Sequence, residues 1–118
     1  MSSGNLEEIT GYTKAVDLFD GVVEDMSRYM HGYRLDRLVS QQIASTDSVL
    51  EEGYGRQSSA EYRRFLIIAR GSLRETAGRY RRFKHWMPAD VITERTALAE
   101  EINRILSATI TSLGKRIK

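Results

Sequence analysis

Three features of this sequence have side chains that could do chemistry: two histidines, a Gly-Tyr-Gly-Arg turn and a line of arginines. The histidines are His31 and His85. Helical bundles that hold two metal ions use Glu-x-x-His pairs on facing helices. Neither histidine here follows a glutamate by three residues. Both fall near the ends of predicted helices, where a polar side chain is at home, so no metal and no cofactor are expected. The chain has no cysteine, which removes thiolate nucleophiles, thiolate metal sites and disulfides. Gly53-Tyr54-Gly55-Arg56 followed by Ser58 lacks the lysine and the preceding strand of a phosphate-binding loop. It reads as a tight turn between helices. No Ser-His-Asp arrangement stands out. No catalytic residue is assigned, no small-molecule substrate is indicated, and an enzyme is not expected.

The arginines are more informative. From Arg56 to His85 there are nine Lys or Arg and two acidic residues, Glu61 and Glu75. At helical spacing Arg63, Arg70, Arg74 and Arg81 fall within about 40° of one another, roughly 120° from the apolar stripe of the same helix. Such a line can neutralise successive phosphates of RNA or DNA without reading sequence. No aromatic residue interleaves it, so base stacking is not supported. Ile67 lies beside it, and Ile68 is also off the apolar stripe. Isoleucines among arginines suit a protein interface. Self-association or ion pairing is therefore the first reading of Arg63, Ile67, Arg70, Arg74 and Arg81, and nucleic acid the alternative.

Four amphipathic helices must position these residues, at about 5–31, 35–52, 58–86 and 88–117. The first opens with Asn5 and Glu8 at capping-box spacing. Its expected core stripe is Ile9, Tyr12, Ala15, Val16, Phe19, Val22, Val23, Met26 and Met30, with Gly32 as a left-handed stop. The second carries Leu35, Leu38, Val39, Gln42, Ile43, Thr46, Val49 and Leu50. Its polar members make it the weakest stripe. The third is capped by Ser58 with Glu61 and carries Tyr62, Phe65, Leu66, Ala69, Leu73, Thr76, Tyr80 and Phe83. Pro88 ends it and opens the fourth as a first helical residue. The fourth carries Val91, Leu98, Ile102, Ile105, Leu106, Thr109, Leu113 and Ile117. Short connections between long helices give an all-α, antiparallel, up-and-down four-helix bundle in one domain, 1–118.

Composition agrees. Of 118 residues, 41% are hydrophobic and 29% charged, enough apolar surface for a core and too much for disorder. No segment approaches the roughly 20 apolar residues of a membrane span, so no membrane partner is expected. Met1 to Glu8 shows no basic start followed by an apolar run, so a cytoplasmic location is expected. The charge is divided. Residues 1–55 hold ten acidic and four basic side chains, net −6, and residues 56–118 hold six acidic and fourteen basic, net +8. A copy of the chain could therefore dock its acidic half on the basic half of another.

Glu52-Gly53-Tyr54-Gly55-Arg56, Ser58, Glu61-Tyr62, Phe65-Leu66, Ile68-Ala69, Gly71-Ser72-Leu73 and Glu75 together resemble the signature of the 23S ribosomal RNA intervening-sequence proteins. Relatives of that family include the accessory protein of diversity-generating retroelements. The resemblance is dense from Ser48 to Glu75. It implies a left-handed up-and-down bundle that assembles into a ring of five subunits. In the basic retroelement relatives it implies binding of nucleic acid and a reverse transcriptase. Gln41-Gln42 stands where the family has an arginine pair, and Asp47 and Val49 replace its Pro and Asn, which removes positive charge from helix two. Physically the signature reads as architecture. Glu52, Gly53, Gly55 and Arg56 shape the turn, Ser58 and Glu61 cap helix three, Ser72 lets helices approach, and Gly71 permits a close neighbour.

Overall fold

The computed structural model describes residues 3–32, 34–53 and 58–116, with the side chains of the first helix described from Ile9 onward. Four helices follow in order: α1 (Ser3–Tyr29), α2 (Asp36–Gly53), α3 (Ser59–Arg82) and α4 (Ala89–Arg116), with a 3₁₀ turn at Phe83–His85. No strand occurs among the described residues. Each helix packs mainly on its two neighbours, so α1 lies diagonal to α3. Cross-helix pairs fix the directions. Gln42 meets Thr76 and Ser48 meets Ser72, while Arg63 meets Ile110 and Arg70 meets Ser107. Lys14 pairs with Glu101, and Asp25 with Arg95. In every case the numbers run oppositely, so the bundle is antiparallel throughout, 50 × 23 × 18 Å in extent.

The helix ends follow local chemistry. The Ser58 hydroxyl accepts from the Glu61 N–H at 3.1 Å, as the capping spacing requires. α1 begins at Ser3, so Asn5 lies within the helix rather than at its cap; the Asn5 and Glu8 side chains lie outside the described ones. α1 ends two residues before the expected limit, and Gly32 follows at φ +143°, a conformation that glycine tolerates. Pro88 stands just outside α4 rather than as its first residue, and its carbonyl accepts from Ile92 N at 3.3 Å. The last predicted turn of α3 tightens into 3₁₀ geometry before the proline.

The core is built from Leu18, Val22, Leu66, Leu73, Tyr80, Phe83, Ile102 and Leu106, all essentially inaccessible. The stripes of α2 and α3 stand as expected except at Phe65, which is half-buried at the margin of the core. On α4, Ala99 and Ile110 are buried as well, and the expected Ile105 and Thr109 are only half-buried; Ile117 lies outside the described residues. α1 is the correction. Its buried face runs through Gly11, Ala15, Leu18, Val22 and Met26, whereas Ile9, Tyr12 and Val23 are 56%, 49% and 38% exposed. The helix carries two apolar seams. The one at strict three-and-four steps drifts about 20° per heptad around a helix of 3.6 residues per turn. It therefore begins at the surface with Ile9 and reaches the core only at Met26 and Met30.

Two polar networks cross this core. Between α2 and α3, the fully buried Gln42 donates through Nε2 to the Thr76 carbonyl at 2.8 Å. The Ser45 and Thr76 hydroxyls share a 2.7 Å hydrogen bond, and Arg79 donates to Ser45 at 3.0 Å. The polar residues that weaken the α2 stripe on paper therefore satisfy one another. Between α1, α3 and α4, Asp25 is 3% exposed. Arg95 grips it through Nε at 2.7 Å and Nη2 at 3.2 Å, and the Tyr80 hydroxyl donates to it at 2.7 Å. Burial, and then the bond to Asp25, push the Tyr80 phenol far above its ordinary range.

Gly21 makes this cluster possible. A Cβ there would lie 2.6 Å from Arg95 Cζ. Alanine ordinarily stabilises a helix interior over glycine by about 1 kcal/mol. Here Gly21→Ala is expected to reverse that sign and lower stability by about 2 kcal/mol, because it displaces Arg95 from the buried Asp25 carboxylate. Urea unfolding reads the result. The Tyr80 shift gives a second expectation. Its folded value lies above its unfolded value of about 10, so its contribution is complete below about pH 10 and is lost as the pH rises beyond that. Thermal melts of Tyr80→Phe should fall less between about pH 9 and pH 11 than those of the parent protein.

Candidate functional site

The residues singled out by sequence gather on α3 and at its junctions. That helix carries Arg63, Arg64, Arg70, Arg74, Arg81 and Arg82 away from its buried line. Ser58 starts the helix and directs its first turn, and the buried line Leu66, Ala69, Leu73, Thr76 and Tyr80 sets its rotation. The arginine stripe is thereby turned toward α4. Arg63 Nε donates to the Ile110 carbonyl at 3.1 Å, and Gly114 leaves room for its guanidinium. Arg70 donates to the Ser107 hydroxyl at 3.3 Å. Arg81 reaches Glu100 across 3.7 Å with both side chains mostly exposed, which adds little stability. Arg74 is exposed over a shallow cleft of about 180 Å³ that Leu73, Ala77 and Ala99 floor.

The stripe is therefore brought together as spaced, but three of its four arginines reach the neighbouring helix of the same chain, Arg81 only through an exposed pair. Arg64 and Arg82, set farther round, point to solvent on the outermost face. Ile67 and Ile68 flank that face at 39% and 45% exposure. Gly71 lies between them, and nothing in the chain comes within 4 Å of where its Cβ would be. It serves no helix contact inside the subunit. Ser72 does, donating to Ser48 at 3.0 Å.

The turn motif is only partly within the described residues. Gly55 and Arg56 lie outside them. Glu52 is half-buried near the end of α2. Gly53 is buried in helical conformation, and an added Cβ would make ordinary contact with the Ala69 Cβ at 3.6 Å. The left-handed geometry that would make alanine costly there is absent and a Cβ would fit, so the expected turn-shaping need for glycine at position 53 is not found.

Sequence reasoning did not include Asp25, Arg95 or Arg79 among important residues. Asp25 could have been found, since it sits beside Met26 and three residues after Val22 on the buried face. Among the described residues no group of three or more His, Cys, Asp or Glu side chains gathers where it could hold a metal ion. No described helix is long and apolar enough to cross a membrane.

No curated protein and no solved structure matches the chain. A model of the 23S rRNA-intervening sequence protein family matches residues 7–108. That span runs from α1 into α4 and contains the whole segment on which the resemblance rests. The chain belongs to the 23S rRNA-intervening sequence protein family.

Proposed function

We propose that this protein is a non-enzymatic, homo-oligomeric scaffold, in which the outer face of α1 on one subunit docks on the outer face of α3 on the next. The observation that carries this reading is the second apolar seam of α1. Ile9, Tyr12 and Val23 are exposed and Val16 and Phe19 half-buried, at the three-and-four spacing that packs one helix against another. Asp17, Asp20 and Glu24 border that seam in solvent. On the diagonal helix, Ile67 and Ile68 are exposed, with the exposed Arg64 and Arg74 on the same outer side. Each face is apolar at its centre, and the two rims carry opposite charge. Different surfaces on opposite sides of a subunit make a heterologous contact, which closes into a ring when the rotation allows. Five subunits is the number that the family resemblance favours.

Nucleic-acid binding by Arg63, Arg70, Arg74 and Arg81 is the second reading. The net charge of +8 over residues 56–118 supports it. The attachment of Arg63 and Arg70 to α4 weakens it, because those two cations are less available to phosphates.

Light scattering on three samples tests the assembly. The parent protein should be a stable oligomer at micromolar concentration. Tyr12→Glu/Val23→Glu and Ile67→Glu/Ile68→Glu should each be monomeric with unchanged helicity. An equimolar mixture of the two should form dimers and nothing larger, since each variant keeps one sound face. A monomeric parent protein, or a mixture that stays monomeric, refutes the proposal.

A further inference from the structure

We propose that the corner between α3 and α4 is a binding site for a ligand that joins a flat aromatic ring to an anionic group, as a nucleotide does. The inference stands apart from assembly, since the corner lies at the opposite end of α3 from Ile67 and Ile68. Pro88 creates the corner by stopping α3. The chain tightens into the 3₁₀ turn, where Phe83 O accepts from Trp86 N at 2.9 Å and from Met87 N at 3.0 Å. Phe83 and Met87 point inward and are buried. Trp86, held between them in sequence, is turned outward and stays 39% exposed.

The indole is set in place rather than left loose. Phe83 meets it edge-on with ring centres 6.4 Å apart, and His85 does so at 5.6 Å. Together with Leu38 of α2 these residues line a cavity of about 410 Å³. That falls within the range of about 300–1,000 Å³ typical of small-molecule sites. The rest of the lining is Arg81, Arg82, Lys84 and His85, with no carboxylate. Arg82 and Lys84 are exposed and make no ion pair among the described residues.

Cations in the last turn of a helix answer its dipole, which explains their charge. It does not explain an apolar hollow beside an exposed tryptophan. The combination matches a stacked ring with a phosphate at its edge: the aromatic wall takes the ring face, and the two permanent cations Arg82 and Lys84 meet the negative charge. Helical spacing alone shows no stacking partner, because Trp86 lies beyond the arginine stripe. The break in the helix brings it beside Arg81 and Arg82.

Trp86 is the only tryptophan in the chain, so its fluorescence reports this corner alone. The intact protein at about 50 mM salt, where phosphate contacts are strong, is titrated with adenosine 5′-monophosphate, adenosine, inorganic phosphate and a ten-residue oligodeoxyadenylate. Saturable quenching by the monophosphate identifies a free nucleotide as the source. Quenching by the oligomer with little effect of the monophosphate identifies a single strand. Either result supports the site. Adenosine and phosphate separately should bind about tenfold more weakly or worse than the ligand that joins them. Arg82→Glu/Lys84→Glu should abolish the quenching. Equilibrium dialysis of Trp86→Phe should show affinity within about threefold of the parent, and Trp86→Ala a loss of about tenfold. The proposal fails if neither nucleotide probe quenches up to about 10 mM. It also fails if phosphate alone binds as tightly, or if Trp86→Ala binds as well as the parent.

Discussion

One buried carboxylate organises this bundle. Asp25 sits inside α1 at 3% exposure, and removing a charge from water is costly unless it is fully paired. Arg95 supplies two hydrogen bonds from α4 and Tyr80 a third from α3. The cluster thus ties three helices at one level, including the diagonal pair that otherwise has few contacts. It also fixes the rotation of α1. That helix has two apolar seams, and Asp25 lies roughly 160° around the axis from the centre of the exposed one. Turning the Ile9–Val23 seam inward would carry Asp25 to solvent and leave Arg95 and Tyr80 without their acceptor. The buried charge therefore decides which seam becomes core and which remains outside.

The fold class was legible in the sequence because every helix carries an apolar stripe at helical spacing, that of α3 most clearly. On α3, large apolar residues recur on one face only, and Ser58 with Glu61 marks the start. On α1 the same reasoning merged two seams into one, since spacing alone does not say which of two apolar faces looks inward. Leu18 was missed for that reason, and Ile9, Tyr12 and Val23 were placed in a core they do not reach. The deciding residue is polar, and a rule that seeks apolar periodicity passes over it. The buried network of Gln42, Ser45 and Thr76 was equally invisible, because its satisfaction depends on a helix 30 residues away in the chain.

The candidate site was legible in part. Arg63, Arg70, Arg74 and Arg81 share a face, as their spacing requires. What spacing does not give is the neighbour. Packing turns that face toward α4, so Arg63 and Arg70 spend their donors on Ile110 and Ser107. Positive charge of this kind is partly structural. Arg82 and Lys84, exposed at the end of α3 near Trp86, make no ion pair among the described residues. The arrangement reads as a body whose interior polar links hold four helices in one register while its outside keeps apolar and charged faces for other molecules.

The account rests on the claim that Asp25 and Arg95 stabilise the bundle as a pair rather than as two separate residues. A double-mutant cycle measures that claim directly. Stability is determined by urea unfolding for the parent protein, Asp25→Ala, Arg95→Ala and the double variant. The account predicts that the double variant is more stable than the sum of the single losses implies by at least about 1 kcal/mol, because removing both charges leaves neither buried alone. Losses that add to within about 0.4 kcal/mol would contradict it.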